Sequence, residues 1–167
     1  INNLARETSS VFGQDSEASG INSFASGKGV KAISMSSTAI GRYNVGYGDA
    51  FSVVFSDPVF EVGIGSTVID RKNAMTIHKS GDVILGHHLA PINGSNNNSK
   101  MMLYNNDKSA IRAGLSQTQK WSPDSTGLHS IAVGNGPLAY GYASASFGNF
   151  SRAFGSYSFA TGYNTNA

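Results

Sequence analysis

Glycine recurs every seven residues in two parts of the chain, and this spacing constrains the fold more than any other feature of the sequence. Twelve positions share it, six from 13 to 48 and six from 127 to 162, and Ser34 alone among them is not glycine. Glycine makes up 20 of the 167 residues, so chance would fill far fewer of these positions. The repeated glycines are Gly13, Gly20, Gly27, Gly41, Gly48, Gly127, Gly134, Gly141, Gly148, Gly155 and Gly162.

The residues around each glycine follow the same period. Alanine stands two positions before most of these glycines and serine four positions before, so the repeated unit is Ser-x-Ala-x-Gly. Larger apolar residues fill the places between, such as Ile131 and Val133 on either side of Ala132. Small and large residues therefore alternate with the period of two that is typical of a β-strand.

A heptad period is also typical of a coiled coil, but these residues exclude one. A glycine in every heptad would cost a helix about 1 kcal/mol per repeat, and the charged pairs that flank a coiled-coil seam are missing. The pattern instead predicts a β-solenoid in which glycine ends each short strand where the chain turns, often at positive φ, as we expect for Gly141 and Gly148. Two heptads would make one 14-residue coil, with the large side chains inside and serine and alanine outside.

Such a roll is thin, because a strand of about five residues spans only ~17 Å. An outer face of serine and alanine offers little to bury except against another backbone. Open solenoid ends also invite aggregation unless they are covered. The sequence therefore predicts that several copies associate to complete a core, as in a fibre segment.

Two units of the pattern carry a family resemblance. Residues 37–41 (Ser-Thr-Ala-Ile-Gly) and 130–134 (Ser-Ile-Ala-Val-Gly) resemble the Ser-Val-Ala-Ile-Gly repeat of YadA-like head domains, and 20–27 matches a wider form of that repeat. These domains belong to trimeric autotransporter adhesins, and similar repeats occur in the tail fibres of phages and injection machines. The resemblance covers about 9–48 and 123–162.

The resemblance implies a fold, an assembly and a function. The fold would be a left-handed parallel β-roll, assembled as an intertwined or side-by-side homotrimer. The function would be attachment to a host or neighbouring cell, at an extracellular location, with an outer-membrane anchor in a region C-terminal to this sequence. Two alternatives stay open: a phage or injection-machine tail-fibre segment that recognises a bacterial surface glycan, and a purely structural fibre spacer.

Between the two arrays the glycine phase is lost. The 79 residues from Gly48 to Gly127 are two more than eleven heptads. We therefore predict three regions, a first β-roll array at 1–48, a hairpin-rich connector at 49–122 and a second β-roll array at 123–167. Turn residues in the connector predict strands at 50–55 and 59–62 and two hairpins, 73–78 with 83–86 and 100–104 with 110–114.

No catalytic or nucleotide-binding motif occurs in the sequence. It lacks a Gly-x-Ser-x-Gly elbow, a His-Glu-x-x-His motif and a phosphate-binding loop. Cysteine is absent, which excludes thiol catalysis, thiolate metal sites and disulfides. Acidic residues are sparse, and nothing in the sequence brings together the two carboxylates that a glycan-cleaving enzyme needs. We predict a protein that is not an enzyme and needs no cofactor.

Charge and hydropathy limit the partners. The formal net charge is +2, so no electrostatic attraction to nucleic acid is expected. No apolar run reaches the length of a membrane span, so we expect no direct membrane contact. The expected partners are other copies of the chain and a glycan or protein receptor on a host or bacterial surface.

Candidate binding residues lie in the connector. Trp121 is the only tryptophan, and an exposed tryptophan among polar residues would suit a sugar ring or a protein hot spot. The alternative is that Trp121 plugs the end of the second roll. The candidate binding residues are Trp121, Lys120, Arg112, Tyr104, Asn96 and Asn97.

Four histidines occur, at 78, 87, 88 and 129. Around a threefold axis one inward histidine per chain would suffice for an ion, so an axial site at His87 or His88 stays open. The alternative is a surface pair that follows a strand. We predict no metal site.

Overall fold

A computed structural model describes residues 2–6, 8–86, 100–117 and 121–167. Regular structure in this part of the chain consists of β-strands and one single-turn 3-10 helix, Pro123–Ser125, so the prediction of an all-β fold is confirmed. The described residues contain no helix of the length and apolarity that crossing a bilayer would require. These described residues divide into two compact units, those up to Gly81 and those from Asp82 onward.

The first unit is a β-solenoid of stacked coils. Its strands are β1 (Leu4–Ala5), β2 (Ser10–Gln14), β3 (Glu17–Ala18), β4 (Phe24–Lys28), β5 (Lys31–Ala32), β6 (Thr38–Arg42), β7 (Pro58–Ile64) and β8 (Asn73–His78). The long strands β2, β4, β6 and β7 pair in parallel, and β8 joins β7 antiparallel. The short strands β1, β3 and β5 form a second parallel ladder. Ser10 pairs with Phe24 and Phe24 with Thr38, so partners are 14 positions apart.

The second unit begins with antiparallel strands and continues as stacked coils. Its strands are β9 (Val83–Gly86), β10 (Lys100–Asn105), β11 (Ala110–Leu115), β12 (Ile131–Asn135), β13 (Leu138–Ala139), β14 (Ala145–Asn149), β15 (Arg152–Ala153) and β16 (Phe159–Tyr163). Strand β10 pairs antiparallel with β9 and β11, and β11, β12, β14 and β16 then pair in parallel. The short strands β13 and β15 form a parallel pair of their own.

The strand predictions for the connector hold with one exception. Strands β7, β8 and β9 lie where sequence placed them, and β10 and β11 form the predicted hairpin, with Asn105 opposite Ala110. The strand predicted at 50–55 is wrong. There the Asp49 carboxylate accepts hydrogen bonds from the amides of Phe51 and Ser52, both at 2.8 Å. This local capping competes with strand pairing.

The side chains inside the coils are the opposite of those predicted. Alanine and serine lie inside and the larger apolar side chains point outward, so the expectation of large side chains inside is wrong. The buried alanines are Ala18, Ala25, Ala32, Ala39, Ala132, Ala139, Ala153 and Ala160. The buried serines include Ser16, Ser23, Ser37, Ser130, Ser144 and Ser151. Serine tolerates this position because its hydroxyl reaches a backbone carbonyl, as Ser144 does at Gly141, 2.7 Å away.

Ten of the eleven heptad glycines fall into two classes, and Gly48 differs from both because it lies outside the strands at positive φ. Gly13, Gly27, Gly41, Gly134, Gly148 and Gly162 lie in long strands at positive φ. Gly20, Gly127, Gly141 and Gly155 lie outside the strands, and their φ is not positive. The expectation of positive φ is therefore right for Gly148 and wrong for Gly141. A Cβ on either residue would still overlap the carbonyl oxygen of a glycine on the next coil.

The row of strand glycines continues into the region where the sequence phase is lost. Gly63 on β7 pairs with Gly41, 22 positions earlier, and Gly114 on β11 pairs with Gly134, 20 positions later. The residues by which these spacings exceed 14 lie in the segments between the paired strands. The glycine row therefore follows spatial register and not a constant sequence period.

Candidate functional site

The outward side chains of the long strands form an apolar surface in each unit, which we call its aromatic face. In the first unit this face comprises Phe12, Phe24 and Ile40, and in the second Val133, Phe147 and Phe159. The rings of Phe12 and Phe24 are 5.8 Å apart between centroids, and those of Phe147 and Phe159 5.7 Å. Phe12 is 61% exposed and Phe159 62%. Aromatic rows this exposed are typical of surfaces that bind another protein.

A groove of about 540 Å³ lies on the aromatic face of the second unit. Its apolar lining comes from Met101, Ala113, Leu115 and Val133, and Gly114 and Gly134 also line it. Lys100 and Asn135 complete the lining. The groove offers apolar surface to a partner chain.

The predicted binding residue Arg112 is not on the surface. Its side chain is fully buried at the inward position next to Ala132, its partner across β11 and β12. Nη2 donates hydrogen bonds to Ser130 Oγ at 2.8 Å and to the Ala139 carbonyl at 2.9 Å, and Nη1 donates to the Ile111 carbonyl at 2.9 Å. Burial lowers the pKa of the Arg112 guanidinium to about 10. Arg112 therefore holds coils together and cannot meet a receptor.

Trp121 is likewise buried, with 3% of its surface exposed. It packs with Ile84, Met101 and Leu103, and its indole nitrogen donates a hydrogen bond to the Pro137 carbonyl at 3.3 Å. Trp121 thus supports the core of the second unit, in line with the plug alternative. Its place among the candidate receptor-binding residues has no support from this geometry.

The remaining predicted binding residues are not brought together with Arg112. Tyr104 is partly exposed on β10, where it alternates with the inward Leu103, so it faces away from Arg112. Lys120, Asn96 and Asn97 lie outside the described residues, as do His87 and His88.

The first unit has a buried charge at the matching position, which sequence reasoning did not single out. Glu61 pairs with Ala39 across β6 and β7 and is almost fully buried. Its carboxylate accepts hydrogen bonds from Asn73 Nδ2 at 2.6 Å, Asn44 Nδ2 at 2.8 Å and the Gly46 amide at 3.3 Å. Burial raises the pKa of Glu61. Because these bonds enclose it, Glu61 cannot reach a substrate.

The described histidines make local contacts. The hydroxyl of Tyr47 lies 2.6 Å from His78 Nε2, and burial raises the pKa of that tyrosine. The ring of His129 stacks edge-on with Tyr142. Within the described ranges, no three histidine, aspartate or glutamate side chains are grouped so that they could hold a metal ion.

Comparison with known families gives two matches in this chain. The model of the YadA head domain repeat matches residues 7–29 and 139–165. Neither a curated protein nor a solved structure matches the chain. Each matched segment falls on the stacked coils described above. Both ends of the chain therefore carry segments that match the YadA head domain repeat.

Proposed function

We propose that this chain is the head segment of a homotrimeric adhesin that attaches its carrier to a host or neighbouring cell without catalysis. The match to the YadA head domain repeat supports an adhesin-like role. The observation that carries the proposal is the exposed aromatic face of each unit, with Phe12 and Phe159 its most exposed members.

The aromatic faces supply the physical reason for trimerisation. Each buried phenylalanine removes about 150–250 Å² from water, and apolar burial stabilises by about 25 cal/mol per Å². Alanine and serine already fill the interior of each coil, so the outward phenylalanines are free to pack against another chain. This reason replaces the small-residue face from which the sequence predicted association.

The finer features of the proposal are architectural. We place the chain in a left-handed roll of 14-residue coils, with arrays at 1–48 and 123–167 and a connector at 49–122. The trimer would act outside the cell and bind a glycan or protein receptor. Three copies of one surface raise the effective concentration for the second and third contacts, so weak single contacts can give firm attachment.

Two measurements test the proposal. Light scattering coupled to size exclusion should return three times the 17.5 kDa of one chain at micromolar concentration. Fluorescent beads coated with the protein should adhere to cultured epithelial cells or to bacteria, and uncoated beads should not. A mass of one chain would contradict the trimer. A trimer that binds neither kind of cell would favour the structural spacer.

A further inference from the structure

A second groove lies on the second unit, away from its aromatic face. It has a volume of about 270 Å³, and we call it the tyrosine groove. Its lining residues are Lys108, Asp124, Thr126, Gly127, Leu128, Tyr140 and Tyr142. These residues come from turns, from the 3-10 helix and from the segment after β13, and none of them belongs to the long strands. Trimer contact through the long strands would therefore leave the groove open.

Backbone hydrogen bonds hold the groove in shape. The amide of His129 donates to the Lys108 carbonyl at 2.7 Å, which ties the β10–β11 turn to the segment before β12. The amide of Gly127 donates to the Ala139 carbonyl at 3.0 Å, and that of Thr126 to the Pro123 carbonyl at 3.2 Å. A ligand would meet a preformed site and little ordering entropy would be lost.

The two tyrosines present aromatic surface to solvent. Tyr140 is 53% exposed and Tyr142 45%. The ring of Tyr142 stands edge-on to His129 and to Tyr157, both at 5.5 Å between centroids, with interplanar angles of 88° and 76°. These two neighbours pack against the ring of Tyr142. A half-exposed tyrosine offers an apolar face for a ring and a hydroxyl for hydrogen bonding.

One positive and one negative side chain complete the lining. Within the described ranges neither Lys108 nor Asp124 forms an ion pair, and together they carry no net charge. The ammonium group donates hydrogen bonds and the carboxylate accepts them. This combination suits a neutral ligand with several hydroxyl groups better than an anion or a cation.

The groove does not suit an extended peptide. Peptides that add to a sheet need unpaired backbone groups along an edge. The amides of Thr126, Gly127 and His129 already donate within the chain. The volume is also slightly below the about 300–1,000 Å³ that holds a drug-sized ligand, so one small ring fits.

We propose that the tyrosine groove binds one neutral pyranose ring of a cell-surface glycan, with the sugar's C–H face on the tyrosines and its hydroxyls on Lys108 and Asp124. This inference deepens the proposed adhesin function and rests on it for its biological setting. Three grooves in one trimer would multiply a weak single contact.

Saturation-transfer NMR on the whole chain tests this proposal, with the methyl glycosides of glucose, galactose, mannose and N-acetylglucosamine as probes. At least one neutral glycoside should show transfer, and N-acetylneuraminic acid should show less. Tyr142→Ala and Asp124→Ala should each weaken the binding by about tenfold or more. Tyr163→Ala is the matched control, because this tyrosine is exposed on β16 and does not line the groove. It should change the affinity less than twofold.

Asp124→Ala should fold normally, since this exposed side chain takes no part in the tyrosine stack. Weaker binding by this variant would therefore not be explained by misfolding. The proposal is wrong if no neutral glycoside binds, if the acidic sugar binds better, or if Tyr163→Ala weakens binding as much as Tyr142→Ala. If a trimer adheres to cells but binds no sugar, the sugar-binding role of the groove is wrong and the proposed adhesin function still holds. If a single chain binds sugar but neither trimerises nor adheres to cells, the proposed adhesin function is wrong and the sugar-binding role of the groove still holds.

Discussion

Gly148 and Gly162 pair in register on neighbouring strands and share a φ of +115°, yet only one of them has no room for a side chain. A Cβ on Gly148 would overlap the carbonyl oxygen of Gly162. A Cβ on Gly162 would meet nothing closer than Thr165 Cγ2 at 3.5 Å, because β16 is the edge strand of its sheet among the described residues. The two positions thus separate backbone strain from crowding between coils.

Replacing Gly148 by alanine should therefore destabilise the fold more than replacing Gly162. Both variants place a side chain at positive φ, which costs about 1–2 kcal/mol. Only Gly148→Ala adds crowding against the next coil, which costs about a further 1–3 kcal/mol. Thermal unfolding should show a clearly larger fall in melting temperature for Gly148→Ala. Equal shifts would mean that the glycine row does not set the distance between coils.

Arg112 allows a test of whether its charge or its volume stabilises the coils. In Arg112→Met the packing is mostly kept, and the Ala139 carbonyl still accepts the Gly127 amide at 3.0 Å. We expect a change within about 1 kcal/mol, since methionine fills most of the same space and the cost of burying a charge is removed together with the hydrogen bonds. Arg112→Ala should cost about 2–5 kcal/mol because it leaves a cavity. Urea unfolding distinguishes the two, and a larger loss in Arg112→Met than in Arg112→Ala would contradict this account.

Glu61 should make the stability depend on pH. Burial raises the folded-state pKa above the ordinary value of 4.5, so the folded state binds the proton more tightly than the unfolded state. The contribution of Glu61 is then fully present below about that ordinary value and is lost as pH rises through the raised pKa. The melting temperature of the native protein relative to Glu61→Gln should fall as pH increases from 4 upward. A difference that stays constant over this range would rule out titration of Glu61.

The aromatic faces should control assembly. Phe12→Ser and Phe159→Ser each remove an exposed ring, so we expect weaker association with the folded chain preserved. Ile69→Ser is the matched control, because Ile69 is 94% exposed and lies in the 66–70 turn, outside the aromatic face. Sedimentation at several protein concentrations should show dissociation in the phenylalanine variants only. Dissociation of all three variants alike would point away from the aromatic faces as the contact.

Sequence reasoning captured the features that repeat along the chain. The heptad glycines and the alternation of small and large residues predicted stacked β-coils, and the hairpin of β10 and β11 followed from its turn residues. These features depend on local geometry, which neighbouring residues determine. The predicted division at 48 and 122 stays a prediction.

Some site residues could not be placed in this way. Gly63 and Gly114 continue the glycine row although the spacing to their partners is not a multiple of seven. Arg112 looked like a surface cation, and only its register with Ala132 shows that it points inward. Residues far apart in the chain become neighbours through strand pairing, and no local pattern encodes the length of the intervening segment.

The sequence by itself determined that the chain forms β-coils with small residues on one side of each strand and large residues on the other. Only the tertiary structure decided which side is inside. Alternation with a period of two places the small and the large residues on opposite faces of each strand, but it does not determine which face points into the coil. A coil made of one long and one short strand is too narrow for phenylalanine, so alanine and serine fill it and the rings face outward. The width of the coil therefore determines which side chains face outward. For this reason the surface available to a partner depends on the whole coil and cannot be read from the seven-residue repeat alone.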